Sequence, residues 1–229
     1  MPDVAAIFDR EADNWDAGHG PDSPRASEFR MRADYLRALC DRLGRPRVLD
    51  LGCGTGWQLL DLAGSIDRGT GIDLSPGMIA RARQNAAALD SDTTFDFRVG
   101  DIASALPDTV GPFELILFVG SLEHAPDPAA QLDAAVRLLD REGRLVVIMP
   151  HPWNLGVFRA RWSPSARQGA PFRHMTPRHL ARVASRSGLR LESVTALPYR
   201  AAPQSKAGLA HRSPIIAGAY AASFGKALS

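Results

Sequence analysis

The chain is poor in several features that would each give it an easy assignment. It has two cysteines in 229 residues, Cys40 and Cys53. Two thiols without ligand spacing argue against a disulfide scaffold or a zinc site, and for a reducing, cytoplasmic setting. Charge of neither sign is in excess: 27 basic and 25 acidic residues leave +2, so no global field draws the chain to nucleic acid. All the basic residues except Lys206 and Lys226 are arginine, and they are scattered rather than gathered in a stripe. No apolar run approaches the ~18 residues of a membrane helix. The opening Met1-Pro2-Asp3-Val4 has no apolar h-region, which argues against a secretory leader. No Gly-Lys-Ser/Thr closes a phosphate-cradling loop. Repeats and low-complexity tracts are not evident. What is there is an ordinary hydrophobic content of 45%, enough for one α/β domain with room for a cap.

The informative segment is Val48-Leu49-Asp50-Leu51-Gly52-Cys53-Gly54-Thr55-Gly56. It reads as a buried strand followed by glycines that allow positive φ and close approach of a ligand to bare backbone. Trp57–Ala63 then opens a helix. A dinucleotide fingerprint needs a glycine at the sixth position, but that position is Trp57, whose indole obstructs close helix–strand packing. The G-x-G-x-G spacing suits a ligand with an adenosine and an amino-acid tail but no pyrophosphate. Asp73 follows about 20 residues on, where an acid at the end of the second strand reaches ribose hydroxyls. The alternative is an acid capping the helix that starts at Ser75-Pro76.

Strand and helix patterns alternate along the rest of the chain. Strands are expected near 47–51, 69–73, 95–99, 113–119 and 143–149, with Gly143 opening the fifth and Pro150 ending it. Helices are expected near 57–64, 76–89, 128–139 and 176–187. The alternation implies parallel βαβ units. Leu189–Val194 is a sixth strand and Ala217–Ala227 a candidate seventh. Residues 1–44 read as an N-terminal helical cap, with Phe8, Ala12 and Trp15 at helical spacing. Arg25–Leu43 follows as a helix with Phe29, Ala33, Leu36, Leu39 and Leu43 on one face. Residues 45–229 form the main domain. Within it, His151–Met175 carries Trp153, Phe158, Trp162 and Phe172 and reads as a substrate-side lid, the alternative being a surface insertion.

Val48–Gly56, Gly71–Met78, Val99-Gly100-Asp101 and Ser121–Pro128 together resemble the successive motifs of class I S-adenosylmethionine-dependent methyltransferases, in the branch of the ubiquinone and menaquinone biosynthesis enzymes. The resemblance covers roughly residues 5–196. It implies a Rossmann-like three-layer αβα sandwich with a mostly parallel seven-stranded sheet. The antiparallel last strand would lie between strands 5 and 6. It also implies S-adenosylmethionine as cofactor and S-adenosylhomocysteine as product. Gly52 and Gly54, with Cys53 as a small filler, would face the methionine portion. Asp50 would meet its amino group or stabilise its own turn, and Asp73 would take the ribose. Leu74 and Met78 would flank the adenine, with Met78 equally suited to the core. Asp101, with Ile102 beside it, would read the adenine amine. Gly120 and Ser121 would lie near the methionine end. Arg32 matches an arginine that meets the methionine carboxylate, or is a solvent-exposed helix arginine.

Methyl transfer is an in-line displacement in which positioning supplies much of the catalysis, and a hydroxyl or carbon acceptor benefits from a general base. His124 is the best-placed candidate, with His151 and His174 as rivals. In the family His124's counterpart also serves structural or cofactor-side roles, and His174 could brace the helix start at Thr176-Pro177. Some relatives bind a divalent metal through Glu-x-x-Glu-His. This chain has Gly120-Ser121-Leu122-Glu123-His124, without the first carboxylate, so metal-independent transfer is expected. Strand 4 also lacks the Asn/Asp-Pro-Pro-Tyr/Phe signature of amino-methylating enzymes. The expectation is therefore a methyltransferase acting on a small-molecule acceptor, at oxygen rather than carbon or nitrogen, as a monomer or homodimer. It would have no nucleic-acid partner and no integral membrane contact. The rival reading is a catalytically silent cofactor-binding subunit.

Overall fold

The computed structural model describes residues 4–16, 19, 23, 26–101, 111–152, 172–198 and 218–227. Helices α1 (Val4–Trp15) and α2 (Ala26–Leu43) precede the first strand. Next come β1 (Arg47–Leu51), α3 (Trp57–Leu60), β2 (Arg68–Asp73), α4 (Pro76–Ala87), β3 (Thr94–Val99) and β4 (Phe113–Val119). A 3₁₀ turn at Leu122–His124 leads into α5 (Pro128–Leu138) and β5 (Leu139–Pro150). The described chain closes with α6 (Pro177–Arg186), β6 (Leu189–Pro198) and β7 (Gly218–Lys226).

Among the described residues, seven strands form one sheet in the order β3-β2-β1-β4-β5-β7-β6. The first five are parallel, and β7 runs antiparallel between β5 and β6. The last-strand insertion is therefore as expected. Alternate residues of the central strands face opposite ways. Leu115, Leu117, Val146 and Ile148 pack with Leu36 and Leu39 of α2, Leu59 of α3 and Ile79 and Ala82 of α4. Ile116, Phe118, Leu145 and Val147 pack on the other face with Leu132 of α5 and Leu180 of α6. Strands covered on both faces explain the near-continuous apolar runs.

The chain order reverses between β1 and β4, which opens a crevice at the carboxyl ends of the strands. Three helices begin on that rim with the same device, a capping side chain followed by proline at the first helical position. Ser75 accepts from Met78 N–H, Asp127 from Ala129 and Ala130, and Thr176 from His179. Such caps satisfy amide donors that would otherwise have no partner.

Three local expectations need correction. The helix at 57–64 ends at Leu60, and the backbone then tightens into i→i−3 bonds at Leu62, Ala63 and Ser65. The fifth strand starts at Leu139 rather than Gly143. A register shift between Phe113 and Leu115 absorbs the extra residues, with Gly143 inside the irregularity. The buried face of α2 includes Glu28 and Arg32 as well as Ala33, Leu36 and Leu39, while Phe29 and Leu43 are only partly buried. Of the proposed lid, 153–171, including Trp153, Phe158 and Trp162, lie outside the described residues. No described helix is long and apolar enough to cross a membrane.

Candidate active site

The floor of the crevice is backbone. At Gly52, φ is +77°, and a Cβ there would lie 2.4 Å from Ser121 Cβ. Only glycine lets the loop after β1 pass this close to the loop after β4. The Ser121 hydroxyl donates to Leu51 O at 2.6 Å, and the Gly52 and Cys53 amides both donate to Ile72 O. Gly56, at φ +84°, lies against the Phe97 ring and Ala82, so a Cβ there would sit 2.8 Å from the ring. The close packing that a dinucleotide loop obtains from its sixth residue is supplied here by the fifth. Trp57 is thereby free to turn outward, and its indole N–H donates to Asp16, the residue that follows α1, at 2.8 Å. Cys53 is buried, and burial holds its thiol well above the usual range, which leaves it no nucleophilic role.

Two carboxyls lie in this floor. Asp73 is gripped from both sides: Oδ2 accepts from Gly54 N–H and Oδ1 from Ser75 N–H, each at 2.9 Å. Burial raises its pKa, and these bonds work against that rise. The capping side chain of α4 is Ser75, not Asp73. Asp50 is 1% exposed and its Oδ1 has no hydrogen-bond partner. Burial, reinforced by the Asp73 charge, pushes its carboxyl up to about 7. A buried acid without a partner is costly, and an ammonium group placed beside it would relieve that cost. This donor set fits a cofactor with a cationic amino-acid end and a ribose.

Leu74, just past the end of β2, and Val99, paired with Asp73 at the end of β3, are 43% and 49% exposed. Met78 is buried behind the start of α4. The Gly100 amide donates to Asp73 O at 2.9 Å, which brings Asp101 to the same rim. Ile102 lies outside the described residues. Gly120, at φ +69°, donates to Ile148 O and leaves β4 beside the Glu123 carboxyl. Arg32 is buried and ion-paired with Glu28 one helical turn away. Its charge opposes the burial that raises Glu123. The solvent-exposed alternative for Arg32 is therefore corrected: its i,i+4 partner offsets the charge and lets it enter.

Helix α1 forms a roof over this floor. Trp15 Nε1 lies 3.7 Å from where a Gly54 Cβ would be. Asp9 accepts from the Ser75 hydroxyl and the Gly77 amide, and Asp16 accepts from Trp57 and from Asn85. Three acids, Asp9, Asp13 and Asp16, recur four and three residues apart on one helix face, a signal the sequence reading did not use.

The histidines divide. The His124 ring stands edge-on between Phe8 of α1 (5.3 Å) and Phe172 (5.2 Å), and His174 packs on Phe172 at 4.6 Å. Arg173 holds this segment in place: its N–H donates to Glu123 O and its guanidinium to Ala125 O and Pro126 O. His151 is instead buried against Tyr220 at 6.1 Å, and burial lowers its pKa. Tyr220 donates to Met175 O at 2.8 Å.

Residues 48–143 match a family model described as a methyltransferase domain. A ubiquinone biosynthesis O-methyltransferase of Xylella fastidiosa is 40% identical over 133 residues, 58% of this chain and 52% of the relative. The chain thus spans about half the length of the curated relatives it matches at that level. A ubiquinone biosynthesis O-methyltransferase of Xanthomonas axonopodis pv. citri is 30% identical over 192 residues, covering 81% of this chain and 79% of its own. The fold is shared with magnesium protoporphyrin IX methyltransferase of Synechocystis, solved with bound S-adenosylhomocysteine, at TM-score 0.72 and 18% identity over 98% of each chain.

Proposed function

The chain belongs to the class I S-adenosylmethionine-dependent methyltransferases, and from that premise we propose that it methylates a hydroxyl oxygen of a small, largely apolar acceptor without a metal. The observation that carries this reading is His124, held edge-on between Phe8 and Phe172 just beyond the β4 exit. It supplies a base in an aromatic wall, next to the loop that bears the cofactor's methionine end. The relatives' names, which specify O-methylation, support the same choice.

The cofactor supplies an electrophilic methyl group on a sulfonium. The protein's part is to hold, orient and deprotonate. Asp73 would accept the ribose hydroxyls on the lone pairs left by Gly54 and Ser75. Leu74 and Val99 would cover the adenine ring, and Asp101 would address its edge. Asp50 would receive the amino group, Arg32 the carboxylate, and Gly52, Gly54, Gly120 and Ser121 would leave room for the tail. His124 would take the acceptor's hydroxyl proton as the oxygen–carbon bond replaces the methyl–sulfur bond, whose electron pair stays on sulfur, with His174 behind Phe172 shaping the wall. His151, packed against Tyr220, has a structural role.

The test is transfer of labelled methyl to a panel of phenols, amines and carbon acids in the presence of a chelator. Label on phenolic oxygen, undiminished by chelation, is the expected result. Label confined to nitrogen or carbon would overturn the acceptor assignment. Cofactor binding with no transfer to any acceptor would mark a silent subunit.

A further inference from the structure

Asp9 sits on α1, far in sequence from the cofactor loops, yet it closes a chain of hydrogen bonds that ends at Asp73. Its Oδ1 accepts from the Ser75 hydroxyl at 2.6 Å and from the Gly77 amide at 2.7 Å. The same Ser75 hydroxyl accepts from Met78 N–H at 3.0 Å, and the Ser75 amide donates to Asp73 Oδ1 at 2.9 Å. Every polar group that orients Ser75 is thus fixed, and Asp9 fixes the hydroxyl proton. The contact is close: a Cβ on Gly77 would lie 2.8 Å from Asp9 Oδ1 and 3.4 Å from Ala12 Cβ. The far end of α1 is tied down separately, by Asp16 to Trp57 and Asn85. The bonds to Ser75 and Gly77 hold the Asp9 carboxyl below the ordinary range, so it stays an acceptor at neutral pH.

We propose that Asp9 is a positioning residue for the cofactor's ribose: by holding the Ser75–Gly77 turn it fixes the Ser75 amide against Asp73. The outer lone pairs of Asp73 then face the ribose when α1 is docked. The inference rests on the assignment of the ribose to Asp73. It makes docking of the N-terminal helix and ribose recognition a single event.

Calorimetric titration with S-adenosylhomocysteine and with its 2′,3′-dideoxy analogue tests this in wild type, Asp9→Ala, Asp9→Asn and Ser75→Ala. Wild type is expected to lose about 30-fold in affinity when the hydroxyls are removed, the scale of hydrogen bonds to a charged acceptor. In Asp9→Ala that penalty falls to about threefold, because affinity for the parent ligand drops while affinity for the analogue barely changes. Asp9→Asn, which keeps an acceptor oxygen, restores most of it. Ser75→Ala reproduces the loss, and the double variant is no worse than either single one. In the ligand-free protein, amide exchange at Ser75 and Gly77 rises in Asp9→Ala while the melting temperature stays within a few degrees. A full ribose penalty in Asp9→Ala, or equal weakening of both ligands, overturns the inference and leaves the Asp73 assignment standing. A wild type that binds both ligands equally overturns both.

Discussion

The floor and the roof of the crevice are built by different means. The floor, from Gly52 to Ser75, is held largely through backbone amides at strand ends that are neighbours in the sheet: Gly52 and Cys53 donate to Ile72 O, and Gly54 to the Asp73 carboxylate. The roof is assembled from side chains of segments that meet only in the folded chain: Phe8 and Trp15 from α1, His124 after β4, and Phe172 and His174 before α6. Backbone geometry is stiff and indifferent to the acceptor, as suits a cofactor shared by a whole family. Side-chain walls can change without disturbing the sheet, as suits specificity.

If this contrast holds, the floor must be intolerant of any added atom. Gly52→Ala is the severest test. The new methyl would meet Ser121 Cβ at 2.4 Å while the backbone stays at φ +77°. A loss of about 3 kcal/mol or more is expected from strain and overpacking together, seen as a lower denaturant midpoint and no measurable cofactor binding. An alanine variant of wild-type stability would show that the two loops move apart easily.

The roof should fail differently. His124→Ala is expected to reduce kcat by about 100-fold, the lower end of general-base contributions, with S-adenosylhomocysteine affinity within about twofold of wild type. Equal losses in turnover and affinity would place His124 on the cofactor side. The contrast between floor and roof would then fail at that residue.

The same contrast explains what could be read in advance. Glycine spacing, the Ser75-Pro76, Asp127-Pro128 and Thr176-Pro177 helix starts, and the antiparallel last strand follow from local pattern or from the family resemblance. Trp57 shows the limit. From sequence it is an obstruction to helix packing. In the fold it anchors the roof through Asp16, a partner 41 positions away. Arg32 and Glu28 were invisible as buried residues for a related reason. Hydrophobic periodicity treats charge as outward-facing, yet a pair one helical turn apart can enter together. Only Asp9 and Asp16 left a trace, in their helical spacing with Asp13, and spacing alone does not say what faces it.

Within the floor, the two acids should also part company. Asp73→Ala removes a carboxylate that is already positioned by two amides, and is expected to weaken S-adenosylhomocysteine binding by about 1–3 kcal/mol. Isothermal titration at pH 7.5 reads this directly. Unchanged affinity would remove the ribose from Asp73.

Asp50 should give the smallest effect, as a pH dependence. In the free protein, burial and the Asp73 charge push its carboxyl up to about 7, well above its unfolded value. The protonated acid therefore supports the ligand-free fold below about pH 4, and that support is lost as the pH rises through 7. A bound ammonium favours the carboxylate, so binding below pH 7 must release a proton. Affinity for S-adenosylhomocysteine should rise by up to about tenfold per pH unit between roughly pH 5 and 7 and level off above. The thermal shift produced by the ligand should grow over the same window. Asp73 is also raised by burial and stays in place in Asp50→Asn. The difference between that variant and wild type therefore isolates Asp50. Asp50→Asn should bind more weakly at pH 7.5 and lose most of the slope. Parallel profiles in the two proteins would show that the ammonium lies elsewhere.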